Sequence, residues 1–226
     1  MDFNHITIFT GNYGSGKTEL AINYAQWLSK RVSRVLLVDL DVINPYFRSR
    51  EKVKMLEEQD IEVIYPKNLA QADLPIITAD VKKVMHNKDV YGIIDVGGDE
   101  EGAIALGSSF RELEGQKYEM NLVVNTMRPF TSNVDGIILA KERIEKRSQL
   151  EFSGIICNIN LGRETELKHI EEGYPVVKEA ASKMGLPIKF IAIWEELLPL
   201  SNDLKIEEEI FPVKLYNNPP WINKKG

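Results

Sequence analysis

The chain has a single cysteine, Cys157, in 226 residues. With no second thiol, neither an internal disulfide nor a Cys-x-x-Cys metal or redox pair can form. That usage fits a reducing cytoplasmic compartment, and within the apolar run GIICNIN the residue reads as a small core side chain. The three histidines, His5, His86 and His169, lack ligand spacing, so no zinc site is expected. A cluster shared between subunits would receive only one thiolate per chain. No apolar run approaches the ~20 residues of a membrane span. The opening MDFNHITIFT has no basic region ahead of its short apolar stretch, so no secretory leader is expected. Positive charge is outnumbered, 28 Lys and Arg against 34 Asp and Glu, for a net charge of −6. That balance argues against nucleic acid as a partner, since phosphate contacts need a basic face.

The chain holds short β-branched, apolar runs alternating with amphipathic stretches, with no repeat and no low-complexity linker. HITIFT (5–10), RVLLVDL (34–40), IEVIY (61–65), VYGIID (90–95), MNLVVNT (120–126), FSGIICN (152–158) and LPIKFIAI (186–193) read as strands. Helical spacing follows the first in Leu20, Tyr24, Trp27 and Leu28, and recurs over 47–60, around 79–88, in Ala103, Leu106, Phe110 and Leu113, and in Val134, Ile137, Ile138 and Ile144. GYP at 173–175 is expected to break the next helix, with Pro175 opening its second part. Near-continuous apolar strands between amphipathic helices predict an α/β three-layer sandwich around a mainly parallel sheet of about seven strands. The chain reads as one nucleotide-binding domain over 1–226, with a proline-rich extension from about 201 that wraps the surface or frays. Pro219 and Pro220 exclude an amphipathic membrane helix at its end.

GNYGSGKT (11–18) satisfies G-x-x-x-x-G-K-[ST], and it lies where that motif works, between an apolar strand and an amphipathic helix. The glycines allow a tight turn that aims several backbone N–H groups into one concavity. Lys17 is placed to reach the β- and γ-phosphates, the Thr18 hydroxyl to ligate Mg²⁺, and the helix N-terminus to face the anion. Gly11, Asn12, Tyr13, Gly14, Ser15, Gly16, Lys17 and Thr18 are therefore the expected phosphate site. Glu19, next in the helix, suits the dipole but not a nearby phosphate, and is expected to point away.

A bound triphosphate needs a metal, and the metal needs hard oxygen ligands. Asp39 and Asp41 close the second strand of LLVDLDVINP. Asp95 closes the fourth strand, in YGIIDVGG, a Walker-B pattern. Gly97 and Gly98 let a backbone N–H approach a γ-phosphate and sense its presence. Asp99 and Glu100 read as a charged helix start. Asn158, ending the sixth strand, carries the paired donor and acceptor that a nucleobase edge requires.

Taken together, GNYGSGKT, VLLVDLDVINP, GIIDVGG, LVVNTMRPFTSNVDG and GIICNIN resemble the MinD/ParA-like ATPases of the SIMIBI class, the CobQ/CobB/MinD/ParA nucleotide-binding domains, over roughly residues 5–195. The resemblance implies ATP and Mg²⁺ as cofactors. It also implies Asp41 beside the attacking water with Lys17 as catalytic groups, Asp95 with Thr18, Asp39 and Asp41 around the metal, and Asn158 on adenine. No N/T-K-x-D guanine signature occurs. One position departs from the family pattern: Asn12 stands where these proteins usually carry a lysine that crosses a nucleotide-sandwich homodimer. Slow hydrolysis, a substitute cation such as Arg48, Arg50 or Arg128, or a different use of the fold would each accommodate it.

Three functions follow as expectations. The first is an ATP-dependent molecular switch that binds a protein partner, with a homodimer as a further option. The second is a small-molecule ligase or kinase of the dethiobiotin-synthetase or cobyrinic-acid-synthase kind. The third is a positioning ATPase on DNA or membrane, for which Lys141, Arg143, Lys146 and Arg147 form a modest basic helix face diluted by Glu142 and Glu145. That face reads better as a solvated surface.

Overall fold

A computed structural model describes residues 4–40, 50–65, 84, 87, 89–98, 102–104, 106–107 and 117–216. Eight parallel strands form one sheet. They are β1 (Ile6–Thr10), β2 (Val35–Asp39), β3 (Ile61–Ile64), β4 (Tyr91–Asp95), β5 (Tyr118–Val124), β6 (Gly154–Cys157), β7 (Ile188–Trp194) and β8 (Ile210–Val213), in the spatial order β3-β2-β4-β1-β5-β6-β7-β8. The described α-helices are α1 (Lys17–Ser29), α2 (Arg50–Glu57), α3 (Val134–Ser148) and α4 (Leu167–Met184).

Side-chain alternation along each strand splits the core between the two faces of the sheet. Ile8, Val38, Ile94, Val124 and Cys157 pack against Ile137 and Ile144 of α3 and Ile170 and Val177 of α4. Phe9, Leu37, Ile93, Val123 and Ile156 face Leu20, Tyr24 and Leu28 of α1. Because both faces are covered, the strands read as continuous apolar runs. The chain passes from one half of the sheet to the other between β4 and β5, with β1 between them. In open α/β sheets the crevice at the carboxyl ends of the strands at such a point is where ligands collect, and the phosphate-loop motif follows β1 directly.

The sheet has one strand more than the periodicity predicts, and it comes from the proline-rich extension. β8 pairs with β7 in the register Ile191↔Ile210 to Trp194↔Val213. Pro212 is tolerated because an edge strand needs no ladder donor on its outer side. Phe211 anchors the strand, its ring 4.9 Å from Phe190 and 6.1 Å from Tyr24. Beyond it the Asn23 side chain acts as a surrogate strand partner. Its Oδ1 accepts from the Lys214 N–H at 2.8 Å and its Nδ2 donates to the Lys214 carbonyl at 2.9 Å.

The second difference lies in α4, which runs unbroken through Pro175. Gly173 lets this helix approach closely, since a Cβ there would stand 2.2 Å from Thr126 Oγ1. Packing against β5 and β6 outweighs the missing proline donor. The expected helix over 47–60 is realised as α2, with 47–49 outside the described residues, as are most of 79–88 and both Phe110 and Leu113. Among the described residues no helix is long and apolar enough to cross a membrane.

Candidate functional site: a phosphate loop with two buried carboxylates

The loop between β1 and α1 takes left-handed backbone at Gly11 (φ 152), Gly14 (φ 77) and Gly16 (φ 88). Gly11 is needed for space as well, because a Cβ would lie 2.4 Å from the Val123 carbonyl of β5. The turn closes on itself through the Ser15 N–H to the Asn12 carbonyl, 3.1 Å. Lys17 is 6% exposed, and its ammonium donates to the same carbonyl at 3.2 Å. The cation therefore lies folded back over the loop it would leave to meet a phosphate. Tyr13 projects outward at the tip, 79% exposed.

Three polar side chains from the neighbouring strand ends hold the loop from below. Asn158 Nδ2 donates to the Ser15 carbonyl at 2.7 Å. Arg128 Nε and Asn125 Nδ2 both donate to the Gly14 carbonyl, at 3.0 and 3.4 Å. Asn125 also ties the two strand ends together, donating to the Asn160 carbonyl at 2.8 Å and accepting from the Asn160 N–H at 3.2 Å. These contacts fix peptide planes that otherwise have no regular secondary structure to hold them.

Asp39 and Asp95 are opposite each other in the β2–β4 register, and each is 1% exposed. Two carboxylates brought to adjacent strand ends concentrate negative charge where a cation would be complementary. This hard-oxygen pair at the carboxyl ends of β2 and β4 is a donor type that suits Mg²⁺. Gly98 sits directly on the phosphate loop: a Cβ there would lie 2.5 Å from the Gly11 carbonyl oxygen and 2.7 Å from the Tyr13 nitrogen. Asp41, Arg48, Asp99 and Glu100 lie outside the described residues, as does the side chain of Arg50.

Beside Gly16 a narrow cleft of about 40 Å³ is lined by Asn158, Asn160 and Thr165 on one side and by Trp194, Val213 and Leu215 on the other. The tail thus supplies part of an apolar wall of this cleft through Val213 and Leu215. Glu19 also lines the cleft rather than pointing wholly away, and its carboxylate accepts from the Tyr216 N–H. Asn158 borders the cleft, but its Nδ2 is directed at the loop.

Sequence reasoning missed Asn125, Asn160, Trp194 and Arg143. For Asn125 a signal existed: VVNT and IICN both end an apolar strand in asparagine, and the two strands are neighbours. Arg143 had none, because its partner Asn12 is 131 residues away. Of the basic face on α3, Lys141 pairs with Glu145 at 2.6 Å and Arg143 reaches the phosphate loop, so that face is not merely solvated.

A comparison with curated protein sequences finds no match. Among solved structures the chain is similar to the cell division protein FtsY of Thermotoga maritima, with 22% identity and a TM-score of 0.57 over 83% of this chain and 61% of that one. It is also similar to a putative plasmid partition protein of Borrelia burgdorferi bound to AMPPNP, with 16% identity and a TM-score of 0.54 over 89% and 92% of the two chains. A nucleotide-binding protein of Archaeoglobus fulgidus in complex with ADP aligns at 14% identity and a TM-score of 0.51 over 88% and 86%. The chain spans about 60% of the length of the FtsY structures it matches. At these identities the likeness shows the fold alone, an α/β sandwich around a parallel sheet. The model of the CobQ/CobB/MinD/ParA nucleotide-binding domain matches residues 6–183, and the chain belongs to that family.

Proposed function

We propose that the protein binds ATP with Mg²⁺, hydrolyses it slowly, and uses the bound state as a switch that engages a protein partner. The observation that carries the reading is the glycine-turned loop after β1 with Lys17 folded over it, together with the buried Asp39 and Asp95 ending two neighbouring strands of the same sheet. In hydrolysis a water oxygen forms a bond to the γ-phosphorus. The bond to the β–γ bridging oxygen breaks, and its electron pair stays with the departing diphosphate. Lys17 and the loop N–H groups hold the charge that develops there. Thr18, Asp39, Asp41 and Asp95 would hold the metal, which would supply further neutralisation of the developing charge, and Asp41 would orient the water. Adenine would enter the cleft between Asn160 and Trp194. Gly98, resting on the loop backbone, would move when a γ-phosphate arrives, passing occupancy to the segment after β4. Among the described residues nothing favours the ligase or kinase reading over this one.

The test is Lys17→Ala, titrated with ATP and with GTP in the presence of Mg²⁺. Loss of a charge-assisted bond of about 1.5–3 kcal/mol should weaken affinity about 10- to 150-fold. Turnover of the wild-type protein should stay below about 1 s⁻¹, as in unassisted P-loop switches. Unchanged affinity in the variant refutes the phosphate site, and tighter binding of GTP than ATP refutes the assignment of the base.

A further inference from the structure

Asn12 is a buried polar side chain, 4% exposed, in the middle of the phosphate loop. Its Oδ1 accepts from Arg143 Nη2 of α3 at 3.3 Å, while its carbonyl accepts from the Lys17 ammonium at 3.2 Å. One residue of the loop therefore carries two permanent cations. The acidic residue nearest in sequence on the buried side of α3 does not offset Arg143, because Glu145 is engaged by Lys141 at 2.6 Å and by the Phe152 N–H at 3.0 Å. Arg143 thus brings positive charge to the loop, and a triphosphate is an anion that complements it. A guanidinium has five donors in a planar fork and stays charged at every accessible pH, so the bond to Asn12 leaves donors available for phosphate oxygens.

We infer that Arg143 is a phosphate-facing cation supplied from within the same chain, positioned by Asn12, and that it acts on the terminal phosphate during hydrolysis. The inference rests on the phosphate-loop reading above. Arg143 stabilises the negative charge of the γ-oxygens as the water oxygen bonds to phosphorus and the bridging bond lengthens, and it neither gives nor takes a proton. Asn12 and Arg128 are positioning residues. Asn12 aims the guanidinium, and Arg128 pins the Gly14 peptide through its 3.0 Å bond. Because the cation comes from α3 of the same molecule, the chemical step needs no second copy of the chain.

The experiment compares wild type, Arg143→Ala, Arg143→Lys and Asn12→Ala in single-turnover ATP hydrolysis over a range of protein concentrations. Titrations with ADP alone and with ADP plus aluminium fluoride accompany it. Arg143→Ala should lower the rate about 100-fold or more, since arginines in phosphoryl transfer contribute about 10³–10⁵. It should weaken the aluminium fluoride complex in parallel while leaving ADP affinity near wild type, which also shows that the exposed α3 site still folds. Arg143→Lys should recover part of the rate, and Asn12→Ala should fall between wild type and Arg143→Ala. The wild-type rate per molecule should not depend on protein concentration. Wild-type hydrolysis and aluminium fluoride affinity in Arg143→Ala overturn the inference, as does a rate that rises with protein concentration. If Lys17→Ala is inactive in the same series, the phosphate-loop reading survives that failure; if wild type binds no nucleotide, both fall together.

Discussion

Gly98→Ala places a single methyl group where the loop after β4 rests on the phosphate loop. The new Cβ would stand 2.5 Å from the Gly11 carbonyl oxygen, 2.7 Å from the Tyr13 nitrogen and 2.8 Å from the Asn12 carbonyl carbon. All three are backbone atoms, so no side-chain rotation relieves the contact, and normal van der Waals distance requires the two loops to part by roughly an ångström. The phosphate loop cannot yield easily, because Asn158 and Arg128 hold its Ser15 and Gly14 carbonyls at 2.7 and 3.0 Å and Gly11 lies against Val123 of β5. Overpacking of this kind costs about 1–3 kcal/mol. For a chain of this length each kcal/mol lowers Tm by about 2–4 °C, so thermal unfolding should occur about 2–12 °C lower. The same displacement moves the amides meant for phosphate, so ATP affinity measured by calorimetry should fall together with Tm. A Gly98→Ala protein with wild-type Tm and wild-type affinity would show that the two loops do not touch in solution, and the route from γ-phosphate to the segment after β4 would lose its physical basis.

Asn23→Ala removes both hydrogen bonds that hold Lys214 beside α1; about 1–3 kcal/mol of local stability should be lost. Amide exchange at 214–216 should then accelerate with β1 and β5 unaffected, and unchanged protection there would show that β8 alone holds the tail. Burial pushes the Cys157 thiol well above its ordinary 9.0 and, with Glu119 nearby as a second cause, the Tyr24 phenol well above 10.0. Cys157 should therefore resist a disulfide reagent at pH 8 in the folded protein and react fully in denaturant. Above pH 9 the unfolded chain gives up protons that the folded chain keeps, so stability should decline as pH rises. Urea midpoints at pH 8 and 10 test this, and an equal or higher midpoint at pH 10 would contradict the burial of both groups.

The parts of the fold that depend on local pattern were legible. A strand buried on both faces must be largely apolar, and β1, β2, β4 and β6 announce themselves in that way, while β3, β5 and β7 read as strands despite Glu62, Glu119 and Lys189. β8 does not, because Ile210–Val213 is an edge strand of four residues with a proline in it, and its reason to pair is the aromatic cluster of Phe190, Tyr24 and Phe211, drawn from three distant segments. Pro175 misled for the same reason. A proline argues locally for a break, while the close approach of Gly173 to Thr126 and Ile159 holds α4 together across it.

At the site, the residues proposed to meet phosphate and metal were readable because their chemistry constrains their spacing. Gly11, Gly16, Lys17 and Thr18 must lie within one turn of chain, and Asp39 and Asp95 must end strands. The residues that support them obey no spacing rule. Asn125, Asn158 and Arg128 meet the phosphate loop only because β5 lies beside β1 and β6 beside β5 in the sheet.

Asn12 shows where this division falls. The sequence alone determines a short, uncharged side chain at that position, since identity is local information. Only the folded chain decides that it is buried and bonded to Arg143, because a contact between residues 131 apart exists only when α3 is docked on the sheet.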